Sequence, residues 1–425
     1  MDRELVLTGA CAITPAGDAA SVILDALLEG DPVTAEQAPP PVSFDGLPIA
    51  RRDARRLTRA DALAVAAAGR AATESGFACD PLEAERAALF LGTSKDLGSY
   101  DEFLELLPEI PDDADEADVL AAIVDRATGM MSPFFLLDCM PNLAMHYVAT
   151  MFGIRGENCC FTVLGCAGAE AVAQAAAAIG DGRADVGIAG GFDRLTDPLN
   201  QSRLLAQWFL AEDPAEADGY RPHEPEPGFP IFADGAGALV LEERRHALAR
   251  DAAIRGRLLG IGSAFSPQPP YGEPSAAAIL AAARSALAQA GLEPGELAFV
   301  VASGQGAPRL DDVEAAALGE LLAGTTVPVT AWKGGLGHLL SAAAPVELAV
   351  AFECLERGVV AQMAGAFAPA TGPASPVAGN RGGVPRFLVG SPARISGSAA
   401  MLVSLGLRGQ AHAFILGRKD TRCPP

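Results

Sequence analysis

The stretch from Cys160 to Gly191 constrains this chain more than any other. It runs from an apolar, β-branched segment through a glycine turn into a helix of small residues, and on into a strand that ends in glycines. Cys160-Phe161-Thr162-Val163-Leu164 predicts a strand, Ala169 to Ile179 a helix, and Asp185-Val186-Gly187-Ile188-Ala189-Gly190-Gly191 a second strand. Side chains this small let helix and sheet approach closely, so the helix is expected at the centre of the fold. The turn Thr162-Val163-Leu164-Gly165-Cys166-Ala167-Gly168-Ala169 has the layout of an elbow, which exposes the residue at its tip beside free backbone N–H groups. The residue at this tip is Gly165, which has no side chain.

The rest of the chain repeats the alternation. Val6–Ala10, Ala88–Gly92 and Gly235–Glu242 predict strands, and the pattern from Thr58 predicts a helix with Ala60, Leu63, Ala64, Ala67 and Ala68 on one face. Residues 100–127 predict two acidic surface helices split at Pro111-Asp112-Asp113, and residues 132–152 a buried helical region. Beyond a polar boundary at 243–256, strands are expected near 257–264, 298–302, 327–331, 398–405 and 411–417. Helices are expected near 275–291, 311–323 and 341–356. Two comparable halves, 1–250 and 251–425, each alternating strand and helix, predict a layered α/β fold.

Composition narrows the function. With 425 residues, 50% hydrophobic and 20% charged, the chain can bury a large core. No apolar run reaches the ~18 residues of a membrane span, and Met1–Leu7 lacks the pattern of a signal peptide. The formal net charge of −22 argues against nucleic acid and against anionic membranes. Eight Cys, at 11, 79, 139, 159, 160, 166, 354 and 423, show no C-x-x-C pair or metal spacing. No metal or cofactor is expected, and reduced thiols imply a cytoplasmic protein.

The ordered set of motifs resembles the β-ketoacyl synthases of the thiolase-like fold. Leu7-Thr8-Gly9 with Thr14-Pro15-Ala16-Gly17 is similar to the family's opening strand and turn, and Gly153-Ile154-Arg155-Gly156-Glu157-Asn158 to its approach to the nucleophile. Arg221-Pro222, Phe229, Asp234-Gly235-Ala236-Gly237 and Leu241-Glu242-Glu243 resemble its Gly-rich hairpin. The resemblance implies a five-layered αβαβα architecture of two similar halves, and an acyl-transferring Cys assisted by two His.

Carried over position by position, that machinery is incomplete here. The nucleophile stands seven residues after the Asn of the approach motif and three before the helix-opening Gly, and both counts lead to Gly165. Ser303, in Ser303-Gly304-Gln305-Gly306-Ala307-Pro308, stands where the first His should be. Lys333 and His338 are retained in Lys333-Gly334-Gly335-Leu336-Gly337-His338. The closing oxyanion loop reads Leu405-Gly406-Leu407-Arg408-Gly409, with its aromatic gate lost and a charge added. Glycine cannot form an acyl-enzyme and serine cannot replace an imidazole. Loss of a nucleophile costs on the order of 10⁶ in rate.

The resemblance is closest to the chain length factors, Cys-less ketosynthase-like subunits of type II polyketide systems. It implies a heterodimer with an active ketosynthase, with residues 159–164 pairing across the two-fold axis. An acyl carrier protein would be engaged mainly through the partner. Phe134, Phe135, Met140 and Met145 are candidates for shaping the acyl pocket, and Gln305 and Arg408 for filling space left by the missing His and Phe. Chain length factors usually carry Gln at the elbow and often lack the His retained here as His338. Two other readings remain open: an acyltransferase using Cys166 as a displaced nucleophile with His338, and a non-catalytic acyl-binding homodimer. Cys166 follows the tip, so its side chain should point into the packed base of the helix.

Overall fold

The computed structural model describes residues 3–34, 42–78, 84–95, 113–130, 133–196, 200–201, 204, 220–223, 230–266, 274–364 and 385–420, except the side chains of 123, 126–130 and 308. Of the sequence expectations, Cys79, Cys423, Phe229 and the first of the two acidic helices lie outside these residues. The second acidic helix is Glu116–Met130.

Among the described residues there are thirteen strands: β1 (Leu5–Ile13), β2 (Ala87–Thr93), β3 (Asn158–Phe161), β4 (Val186–Asp193), β5 (Gly235–Glu243), β6 (Gly256–Phe265), β7 (Phe299–Val301), β8 (Pro328–Thr330), β9 (Val359–Val360), β10 (Arg386–Phe387), β11 (Ala393–Arg394), β12 (Ala399–Leu405) and β13 (Gln410–Arg418). Eleven join one sheet in the order β10-β8-β7-β12-β13-β6-β1-β5-β4-β2-β3. The same arrangement occurs twice in it. In β3-β2-β4-β5-β1 the first three strands are parallel and the last two antiparallel. In β8-β7-β12-β13-β6 the directions repeat. The two sets meet where Leu5–Leu7 of β1 pairs with Gly256–Leu258 of β6.

Helices cover both faces. Arg59–Glu74, capped by the Thr58 hydroxyl accepting from the Asp61 N–H, packs on β1, β4 and β5. Ala276–Ala290, capped in the same way by Ser275, packs on β6 and β13. Two helices lie between the sheet halves, Ala167–Gly180 against β2 and β4, and Ala343–Arg357 against strands of both halves. The helix of small residues is therefore central, and its smallness is required. A Cβ at Gly168 or at Gly191 would come within 2.0 Å of the Ser341 carbonyl oxygen, so helix, strand and turn touch backbone to backbone.

Two expectations need correction. The strand before the elbow stops at Phe161, not Leu164, because its pairing with β2 ends at Gly92. Residues 132–152 are not uniformly buried: Phe134 is 49% exposed, Leu136 79% and Met140 46%, whereas Leu143 and Met145 are buried in the core. β3 is the last strand of the sheet, and its outer edge has no strand partner among the described residues. No helix among the described residues is long and apolar enough to cross a membrane.

Candidate functional site

The elbow turn forms, but Gly165 at its tip is buried rather than exposed. β3 ends, the chain turns through Leu164–Cys166, and the helix starts at Ala167 with Cys166 in the capping position. Gly165 has φ +91°, in the left-handed region. A side chain there would cost about 1–2 kcal/mol in backbone strain. A Cβ on Gly165 would also lie 3.3 Å from Leu407 Cγ. Leu407 belongs to a small apolar cluster with Leu164, Leu195, Leu204, Phe232 and Leu340, which packs beside the elbow tip.

Cys166 does not take over the tip. It is 1% exposed and sits in the main core cluster. Its Sγ lies against Gly406, where an added Cβ would meet it at 2.6 Å. Burial, with a smaller push from Glu170, raises its thiol to a pKa of about 12. A helix N-terminus ordinarily favours a thiolate, but here desolvation outweighs it.

The second part of the site is the loop between β7 and the helix Pro308–Leu321. The Glu314 carboxylate accepts the Ser303 and Gly304 N–H groups at 2.7 and 2.9 Å. Asp311 accepts those of Gln305, Gly306 and His223 at 2.8, 3.0 and 2.9 Å. Two carboxylates on one helical face thus clamp a glycine-rich loop that could not hold its own shape. Lys333, 2% exposed, reaches the Ser303 carbonyl at 2.5 Å and Glu347 at 2.9 Å. Burial raises the Glu347 pKa, although Lys333 opposes that.

The retained imidazole is closed off. His338 is fully buried, and its Nδ1 accepts the Leu340 N–H at 3.1 Å. That bond places the ring proton on Nε2, which donates to Gln305 Oε1 at 2.5 Å. The Gln305 amide in turn donates to Ser303 Oγ at 2.6 Å and to the Leu405 carbonyl at 3.1 Å. Burial, then Lys333, lowers the His338 pKa well below the usual value, so the ring stays neutral. The Phe232 ring packs beside it, with centroids 5.7 Å apart. In the closing loop the Leu407 N–H donates to the Leu164 carbonyl at 3.3 Å. Gly406 N–H bonds to Gln410 across the β12–β13 hairpin, and Gly409 takes φ +92°.

The structure therefore brings Gly165, Ser303, Lys333, His338, Leu405 and Gly406 together. It does not bring the acyl-pocket candidates to them as a group. Phe134 and Met140 are at the surface, Phe135 is half-buried, and Met145 is in the core of the first half. Arg408 is exposed, its N–H held by Gln410. Gln305 was foreseen only as filler; its place as the partner of His338 depends on a contact between distant segments. Also missed was a buried group of His223, Asp311 and Glu314, whose ligand-type atoms lie within 4.8 Å of one another.

Comparison with known proteins identifies the family. Residues 43–247 match the family model for the β-ketoacyl synthase N-terminal domain, and residues 256–366 that for the C-terminal domain. The chain belongs to the β-ketoacyl synthase family. A mitochondrial 3-oxoacyl-[acyl-carrier-protein] synthase of Arabidopsis thaliana is 33% identical over 250 residues, covering 56% of this chain and 53% of that protein. The ketoacyl synthase beta subunit of the tetracenomycin polyketide synthase of Streptomyces glaucescens is 29% identical, covering 64% of each chain. The match thus spans about half of the plant enzyme and somewhat under two thirds of the bacterial subunit. The ishigamide ketosynthase/chain length factor structure superposes with a TM-score of 0.78 at 23% identity, covering 98% of this chain and 99% of that one. The thiolase-like fold follows from this likeness; the site chemistry rests on the residues present.

Proposed function

We propose that this family member is a non-condensing subunit of the chain-length-factor kind, which pairs with an active ketosynthase and shapes a shared acyl pocket. The observation that carries this reading is the pairing of His338 Nε2–H with the Gln305 carboxamide beside a tip that holds only Gly165. A condensing site must offer a nucleophile and keep donors open for the developing oxyanion. This site lacks the first and has its imidazole donor occupied.

The surface supports the pairing. The edge of β3 that has no strand partner among the described residues lies near the apolar residues Phe134, Leu136, Leu137 and Met140, since the Cys160 thiol contacts the Pro141 carbonyl at 3.3 Å. An unpaired strand edge beside exposed apolar residues is a natural seat for a second, similar chain. Exposed Arg51, Arg52, Arg55 and Arg56 adjoin these residues, with the Arg56 guanidinium 4.0 Å over the Phe134 ring. These arginines give the chain a local basic patch despite its net charge of −22, beside the seat proposed for the ketosynthase.

The test is co-expression with a ketosynthase encoded in the same genome, followed by incubation with acyl carrier proteins and intact-mass analysis. A co-purifying pair with the acyl group on the ketosynthase supports the proposal. An acyl adduct on Cys166 would establish the acyltransferase reading instead. A homodimer that binds acyl chains and ignores every ketosynthase would establish the acyl-binding one.

A further inference from the structure

His223 faces the helix that carries Asp311 and Glu314, the two carboxylates that hold the Ser303–Gly306 loop. We propose that His223, Asp311 and Glu314 form a binding site for a divalent transition-metal ion of the zinc type, which fastens the His223 turn to the Ser303–Gly306 loop.

Charge is the first argument. Asp311 is 4% exposed and Glu314 0%, so two carboxylates are buried side by side. Lys333 is committed to Glu347, and His223, ion-paired to Glu314, offsets at most one of the two charges when protonated. Buried like charges are costly unless a cation compensates them.

Ligand capacity is the second. A carboxylate offers about four lone-pair sites. Asp311 spends three on the N–H groups of Gln305, Gly306 and His223, and Glu314 spends two on those of Ser303 and Gly304. By this count both keep some acceptor capacity.

The imidazole is the third, independent observation. His223 has a side chain 2% exposed, and among the described residues neither ring nitrogen makes a hydrogen bond. Nε2 lies 3.2 Å from Glu314 Oε2 but at an angle too oblique for one. A buried imidazole that faces two carboxylates with an ion-pair contact to Glu314 but no hydrogen bond is under-satisfied. Its ring is fixed against Phe387, with centroids 4.7 Å apart, and its backbone holds φ +62° under the bond to Asp311.

Distances fit. The three ligand atoms lie within 4.8 Å of one another. Around an ion bound at ~2.0–2.2 Å, tetrahedral donors stand roughly 3.3–3.5 Å apart, so shifts of under about 1 Å would close the shell. One imidazole with two carboxylates suits a borderline ion of the zinc type better than calcium or magnesium, which take all-oxygen shells. The spacing Asp311-x-x-Glu314 puts both oxygens on one helical face, and His223 approaches from a segment distant in sequence.

The experiment uses the full chain, purified without a chelator. Metal content would be measured by mass spectrometry, and Tm recorded with added Zn²⁺ and with EDTA. The expected result is about one zinc per chain, a Tm raised by Zn²⁺ and lowered by EDTA, and loss of both effects in His223→Gln and His223→Phe. The phenylalanine variant refills the space beside Phe387, so a metal effect lost there without loss of folding is specific. Co²⁺ loading should give visible d–d bands without a thiolate charge-transfer band, which sets this site apart from the exposed Cys159. Absence of bound metal together with an unchanged Tm would overturn the proposal and leave His223 as a simple counter-charge to Glu314. A thiolate band on Co²⁺ loading would overturn it as well.

Discussion

His338 Nε2 and Gln305 Oε1 stand 2.5 Å apart, in a bond that joins the β7–helix loop to the turn before the helix Ala343–Arg357. Through its amide the same glutamine holds Ser303 and Leu405. The place of a missing imidazole has thus become a structural tie. Gln305→Met, close in shape but unable to pair, is expected to lower stability by about 1–3 kcal/mol by leaving buried polar groups unsatisfied. Urea denaturation measures this. A variant as stable as the parent would mean that the tie contributes nothing.

Restoring the nucleophile alone should not restore condensation. Gly165→Cys places a Cβ at φ +91° and 3.3 Å from Leu407 Cγ, and Ser303 still supplies no imidazole. The expected outcome is a loss of about 1–2 kcal/mol and no ketoacyl product from malonyl carrier protein. Product at a rate approaching an active ketosynthase would show that Gln305 does not block His338.

Thiol reactivity separates the elbow from the edge strand. With its pKa at about 12, Cys166 is about one part in 10⁴ thiolate at pH 8, and it is buried as well. Cys159 is exposed on β3. Iodoacetamide at that pH should label Cys159 in the native chain and Cys166 only after denaturation, as read by peptide mass spectrometry. Rapid native labelling of Cys166 would revive it as a nucleophile.

Much of this was legible in the sequence, for identifiable reasons. The position of Gly165 follows from two flanks, Asn158 and Gly168, that must agree in register, and the alanine helix could only be central. The end of β3 was misplaced because Thr162, Val163 and Leu164 have strand propensity, while strand pairing is decided by β2, far away in the chain. Phe134 and Met140 read as core because apolarity alone does not distinguish an interior from a surface awaiting a partner. The His223 group was invisible because nothing local to His223 announces Asp311. The local basic cluster at Arg51–Arg56 was hidden by a net charge of opposite sign.

The exposed apolar residues beside β3 give a test that spares the interior. Leu136 is 79% exposed, so Leu136→Glu should change the stability of the single chain by less than about 0.5 kcal/mol. If they seat a ketosynthase, the same change should abolish co-purification, because an unpaired charge would be buried in an apolar interface. Unaltered pairing would move the interface elsewhere.

Asp193 ties the two halves with a group whose protonation should be measurable. Its Oδ1 accepts from the Thr93 hydroxyl at 3.0 Å and the Ser94 N–H at 2.6 Å, and its Oδ2 from the Ser341 N–H at 2.8 Å. Burial is nevertheless the largest effect and raises its pKa from 3.8 to about 6, while those hydrogen bonds pull it down. Between these two values the folded chain keeps a proton that the unfolded chain has released. The contribution of Asp193 is therefore greatest below the unfolded pKa and is lost as pH rises through the folded one, a total of about 3 kcal/mol. In Asp193→Asn this slope should vanish, leaving a constant offset from the altered bond to Ser341. Unfolding free energies of both proteins at pH 4 to 7 should thus diverge in favour of asparagine as pH rises. Parallel curves would show that Asp193 is ionised in the native state throughout, held by the three donors despite its burial.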